Sequence, residues 1–375
     1  MAVRKETLLP LTSLRFFAAL LVFAWHCVPT RRIAVTFSFG YLGVGFFFLL
    51  SGFILTYTYH GVFRERLDGA AVRAFYAARI ARVYPLHVVL MLPVLASLTW
   101  LGTSPLWNAA DAPTRLAAFA AQLALVQSWI PVGPVYFGVN GPAWSISVEA
   151  LFYACFPALA FALLKLFRSA TPAGVLLAAG LLWCAQAALL WPQHAVVDDW
   201  RWYVFPPSRL IDFVVGMIAG IAFLRTAPRA VWRLRGSSAE VLALAALCLS
   251  VYVSPLLPLS MRFSAAVMPA WCAVILVFAH RRGAISRGLS HPVLVRLGEV
   301  SFAFYLCHIV VIMACERIGW GHPAILPLAF AATLALSFAL HHGVERPLRA
   351  RVRDLLTRPG AAAPLRPARA AAAEA

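Results

Sequence analysis

Charge is what this sequence has least of. Asp, Glu, Lys and Arg make up 12% of its 375 residues and 62% are hydrophobic, where soluble domains carry about 25% charged residues. That deficit, with apolar runs recurring from end to end, excludes a soluble globular chain and leaves no room for a separate soluble domain. Acids are scarcer than bases, 14 against 32, and lysine is confined to Lys5 and Lys165. The arginines cluster in short loops between apolar runs, as orientation charge does in membrane proteins. The net charge of +18 therefore does not signal nucleic acid. None of the seven cysteines forms a C-x-x-C pair, so they read as small apolar residues and no metal is expected. Arg4 and Lys5 precede the first apolar segment, but no small-residue cleavage site follows it, so a retained span is expected rather than a signal peptide. No internal repeat is evident, which weakens a transporter built from duplicated halves.

What is present is a series of segments long enough to span a bilayer. They run over 8–29, 40–60, 85–103, 146–167, 171–192, 206–226, 239–258, 262–280, 298–318 and 323–343. Another apolar stretch, 115–130, is placed by parity. If it does not cross, most of the 32 basic residues fall on one side; if it crosses, every later loop flips and the bias is lost. The expectation is an all-α polytopic membrane helix bundle of about ten transmembrane helices. Both termini are then cytoplasmic, and 115–130 lies on or dips into the outer face. Residues 1–355 form the transmembrane domain; 356–375, rich in Ala, Pro and Arg, read as a disordered cytoplasmic tail.

An ionisable side chain inside a span is costly and marks a functional site by default. The first span holds two, Arg15 and His26. Eleven residues at about 100° each come close to three turns, so the two share one helix face roughly 16 Å apart along the axis. By the topology above, His26 lies near the outer end, where the segment Asn140-Gly141-Pro142-Ala143-Trp144-Ser145-Ile146-Ser147-Val148-Glu149 opens the fourth span. Pro142 and the serines read as helix-start signals, with Glu149 in the first turn. Alone, Glu149 is a helix-terminus charge and His26 an interior histidine. Together, a carboxylate beside an imidazole can hold its tautomer while it takes a hydroxyl proton. On the inner side, the basic and aromatic loop Arg73 to Pro85 carries Arg79 and Arg82. Three residues apart, they could grip phosphates, although the residues alone favour orientation charge, which demands such arginines on the inner side. Arg209 and Asp212 form either a structural ion pair or a substrate contact. Glu299 and Glu316, near span ends, read as interface charges.

Arg15-x10-His26, Arg79-x-x-Arg82 and Ser147-Val148-Glu149, in this order relative to the spans, resemble the bacterial acyltransferase-3 family of integral membrane O-acyltransferases. Ser208 to Met217, Ser301 to His308 with Tyr305 inside it, and Val344-Glu345-Arg346-Pro347 agree with the same pattern. The resemblance covers about residues 8–350. It implies acetyl-CoA or another acyl-CoA as cytoplasmic co-substrate and no permanently bound cofactor. It also implies a catalytic His26 and arginines that handle the donor. Two positions depart from the pattern: Thr12-Ser13 stand where the family has Asp-Gly, and Ala150 where a second acid often follows Glu149. A stand-alone form without an esterase-like domain is expected.

The resulting expectation is acyl transfer, acetyl by default, from acyl-CoA to a hydroxyl of an extracytoplasmic glycan, glycolipid or small hydroxylated product, in the bacterial inner membrane. Arg79 and Arg82 hold the donor's phosphates, with Arg15 along its path. His26 acts as base, oriented by Glu149 or Ser147. His308, mid-span after Tyr305, ranks as structural. The alternative is a polytopic transporter or flippase for a lipid-linked or acylated compound, using the same intramembrane charges.

Overall fold

The computed structural model describes residues 7–27, 40–101, 104–192, 200–226, 236–319 and 325–357; among them helices are the only regular structure. The long helices are α1 (Leu9–Cys27), α2 (Gly40–Phe63), α3 (Gly69–Leu101), α4 (Trp144–Leu166), α5 (Pro172–Leu190) and α6 (Pro206–Arg225). They continue with α7 (Gly236–Val253), α8 (Met268–Ala279), α9 (Pro292–Gly319), α10 (Ile325–Leu340) and α11 (Arg346–Leu356). Nine segments of the described chain are long and apolar enough to cross a membrane.

The bundle is organised around α2, of whose apolar window 78% is inside protein, against 17% for α5 at the periphery. Its closest partner is α6, followed by α1, which also packs along α9. The α2–α6 approach depends on glycine. A Cβ at Gly216 would overlap the backbone oxygen of Leu49, and one at Gly52 that of Phe213. Small residues bring membrane helices into backbone contact, because dispersion rather than hydrophobic burial drives their association. Gly216 and Gly220 supply the small-x3-small spacing on α6.

Four sequence expectations change in detail. The third span begins far earlier than 85: Asp68 caps α3, accepting from Ala71 N at 3.0 Å. The helix then runs through Pro85 and Pro93, a break that neighbouring helices can satisfy in a membrane. Arg79 and Arg82 therefore lie on a helix, not a loop. The eighth span, expected over 262–280, is broken: a short helix at Leu259–Arg262 leads through turns over 263–267 into the 12-residue α8. The last span ends at Leu340 and continues through a π-helical turn, His341–Glu345, into α11, which was not expected. The stretch 115–130 holds no helix long enough to span: it forms the 12-residue helix Ala112–Leu123, capped by Asp111, and a 3-10 turn at Gln127–Trp129. The tail expected from 356 falls, from residue 358 on, outside the described residues.

Gly216→Leu is expected to push α2 and α6 apart and to lower the melting temperature of the detergent-purified protein by the equivalent of about 1–3 kcal/mol, the usual cost of overpacking. Gly180→Ala, where a Cβ meets nothing within 4 Å, is expected to leave it unchanged or slightly raised.

Candidate active site

A cavity opens between α1, α2, α3, α4 and α9. Its walls are largely apolar, with Phe47, Phe48 and Ile54 from α2 and Phe302 from α9. Set into them are Arg15, Arg79, Arg82, Glu149, Tyr153 and, at the α4–α9 side, Ser145 and Tyr305. The three arginines predicted to handle a donor thus converge on one space.

Their partners differ. Arg82 is ion-paired with Glu345, whose other oxygen lies 2.9 Å from His341 Nδ1. Arg82 also stacks over Phe302. Arg79 sits 5.8–5.9 Å from the ring centres of Tyr59, Phe75 and Tyr153, within cation–π range. Its one hydrogen bond, to Tyr59 Oη, is long at 3.5 Å, and its Nε is buried without a partner. Arg15 makes no hydrogen bond or ion pair among the described residues. Arg82 was expected to grip phosphate beside Arg79; its charge is instead already engaged by Glu345, which sequence reasoning quoted only as part of a motif.

Glu149 belongs with these arginines. It accepts a hydrogen bond from Tyr153 Oη at 3.0 Å, and Arg15, Arg82 and Arg79 are its charged neighbours. The helix starts at Trp144 after a 3-10 turn at Gly141–Ala143, so Glu149 lies in the second turn, facing the cavity. The expected pairing with His26 is not formed. Ser147 does not approach His26 either: its Oγ accepts from Ser128 N at 3.4 Å, tying the start of α4 to the preceding loop.

His26 is held by two other groups. Its Nδ1 lies 2.9 Å from the Val22 carbonyl and 3.2 Å from Nε2 of His308. The Nδ1 of His308 in turn lies 2.6 Å from the Tyr305 carbonyl. Carbonyl oxygens only accept, so each histidine carries its proton on Nδ1 when neutral, and His308 Nε2 shares the His26 Nδ1–H. The lone pair of His26 is thereby left on Nε2, which has no partner among the described residues. His308, fully buried, thus occupies the place beside the His26 ring where sequence reasoning put Glu149 or Ser147. Nothing local in the sequence could signal this, since 282 residues separate the two rings. Tyr305 joins both halves of the site. Its carbonyl anchors His308, while its hydroxyl closes the cavity wall by donating to Pro142 O at 2.8 Å, 2.9 Å from Ser145 Oγ. His26 itself does not line the cavity.

Arg209 and Asp212 form a buried ion pair at 2.7 Å. Arg209 also donates to Phe263 O at 2.8 Å, and Asp212 accepts from Ser264 Oγ. Neither lines the cavity, so the pair pins the 263–267 turn against α6. Asp212→Asn is expected to destabilise the protein by about 3–5 kcal/mol, because a buried arginine loses its counter-charge. The Arg209→Met, Asp212→Leu double variant is expected to melt above the single one; strict additivity in that cycle would contradict a coupled pair.

The chain matches the family model described as an acyltransferase domain (acyltransferase 3) over residues 11–342. It is 32% identical to "Acyltransferase MdmB" of Streptomyces mycarofaciens, across 93% of this chain and 94% of that protein. It is 28% identical to "Exopolysaccharide production protein ExoZ" of Rhizobium meliloti, across 84% of this chain and 92% of that protein. No solved structure matches. The matched stretch takes in His26, His308, the cavity arginines and the helices that carry them, and the chain belongs to the acyltransferase-3 family of multi-pass membrane proteins.

Proposed function

We propose that this protein transfers an acyl group, acetyl by default, from a cytoplasmic acyl-CoA to a hydroxyl presented at the opposite membrane face, with both termini in the cytoplasm of a bacterium. The observation that carries this reading is the division of the site. An arginine-bearing, apolar-walled cavity suits a donor with an anionic head and a neutral arm. An imidazole with its lone pair free suits an acceptor hydroxyl. Arg15 in the second turn of α1 and His26 in its last would guide the thioester from one to the other. A glycan acceptor is supported by the relative named for exopolysaccharide production.

In this mechanism Nε2 of His26 takes the proton of the acceptor hydroxyl as its oxygen attacks the thioester carbonyl carbon. The tetrahedral adduct collapses with cleavage of the carbon–sulfur bond. The imidazolium returns its proton to the departing thiolate, leaving an ester and free CoA. His308 keeps the His26 ring oriented with Nε2 toward the acceptor.

Purified protein supplied with acetyl-CoA and a hydroxylated glycan acceptor is expected to release free CoA. His26→Ala is expected to abolish release, by at least the roughly 10²–10⁴-fold that a general base contributes, while still accumulating in the membrane. His308→Phe, which removes the Nε2 acceptor, is expected to lower kcat with little change in the KM for acetyl-CoA. Full activity in His26→Ala would overturn the assignment.

A further inference from the structure

The cavity arginines are not equivalent, and α11 explains why. Helix α11 packs against α3 and follows the π-helical turn that ends in Glu345. The Arg82–Glu345 ion pair fixes the register between them. Three residues back along α3 is Arg79; four residues on along the antiparallel chain is Arg349. Each step is about one helical turn, roughly 5 Å, toward the same end of the bundle. One turn away from the Arg82–Glu345 contact, Arg79 and Arg349 are therefore neighbours across the α3–α11 packing. Arg349 has Arg79, Arg353 and Arg15 as its charged neighbours, and no carboxylate pairs with either Arg79 or Arg349 among the described residues. Arg79 faces the cavity with a buried, unpartnered Nε, and Arg349 is exposed.

Glu149, shared with Arg15 and Arg82, is the one carboxylate near Arg79 among the described residues, so the arginines outnumber it, and like charges set side by side are destabilising. A cluster of guanidinium groups at the edge of a cavity, one turn from a satisfied ion pair, is a place for an anion with several acceptor oxygens. We propose that Arg79 and Arg349 together form a phosphate clamp at the cavity's entrance, and that it holds a phosphate of the CoA donor. Glu345 keeps Arg82 out of that clamp and locks α11 in register, so the pair of arginines that grips phosphate is drawn from two helices. Arg349 lies beyond the stretch 11–342 matched by the family model. This inference rests on acyl-CoA being the donor.

The test is CoA binding to the full-length protein in phosphatidylcholine nanodiscs, with CoA, dephospho-CoA and pantetheine as probes. Wild type is expected to bind CoA at least tenfold tighter than pantetheine. Arg349→Gln is expected to weaken CoA by about tenfold or more, the scale of one charge-assisted bond, with pantetheine affinity and melting temperature unchanged. Arg349→Lys, which keeps the charge but not the fork, is expected to fall between. Failure of wild type to bind CoA would overturn the donor assignment itself. Wild-type binding that Arg349→Gln leaves intact would overturn only the clamp. If, in nanodiscs made instead with phosphatidylglycerol, Arg349→Gln changes retention of that lipid while CoA affinity stays intact, the phosphate belongs to a lipid and the proposal fails.

Discussion

Placing arginines inside a membrane bundle constrains everything around them. A guanidinium cannot shed its proton, and a low-dielectric interior penalises any charge left without a partner. The fold answers differently at each position. Arg209 is enclosed with Asp212 and two backbone-anchored groups, and serves only to hold α6 against the 263–267 turn. Arg82 takes Glu345 from the far end of the chain. Arg79 is surrounded by aromatic faces, which lower its cost without occupying its hydrogen-bond donors. Arg15 opens directly on the cavity. The two cations left uncommitted on the cavity wall are therefore Arg15 and Arg79, with Glu149 and Tyr153 as a small polar counterweight between them.

The second dependence runs through α9. Within one turn it offers the Tyr305 hydroxyl to Pro142 and Ser145 on one side, and the His308 ring to His26 on the other. Because His308 takes its proton direction from the Tyr305 carbonyl, the cavity wall and the histidine pair move as one piece. The glycine contacts of α2 with α6 and the packing of α1 along α9 keep these pieces aligned. The packing of α1 along α9 is what keeps the His308 ring within reach of His26.

Much of this was legible from residues alone. Arg15 and His26 announced themselves as costly groups on one helix face, and Arg79 and Arg82 by their i, i+3 spacing. The membrane class followed from scarcity of charge, and the stretch 115–130 holds only a 12-residue helix and a 3-10 turn. What escaped had specific physical causes. Glu149 was read as a first-turn charge of a span starting at 146; the helix starts at Trp144 after a 3-10 turn, and which charges the carboxylate meets is set by packing between helices distant in sequence. The roles of His308 and Glu345 depend on contacts across 282 and 263 residues, beyond the reach of any local pattern. Helix α11 was hidden because four arginines in eleven residues read as orientation charge and tail, when its packing on α3 is what makes it a helix.

The central claim is that donor and acceptor are met at opposite ends of one transmembrane site. It is tested most directly in proteoliposomes of uniform orientation. Acetyl-CoA labelled in the acyl group is given only on the side of α11, and a hydroxylated glycan only on the other. The account predicts labelled ester on the glycan and free CoA on the donor side. Labelled ester formed only when both substrates share a side would contradict it.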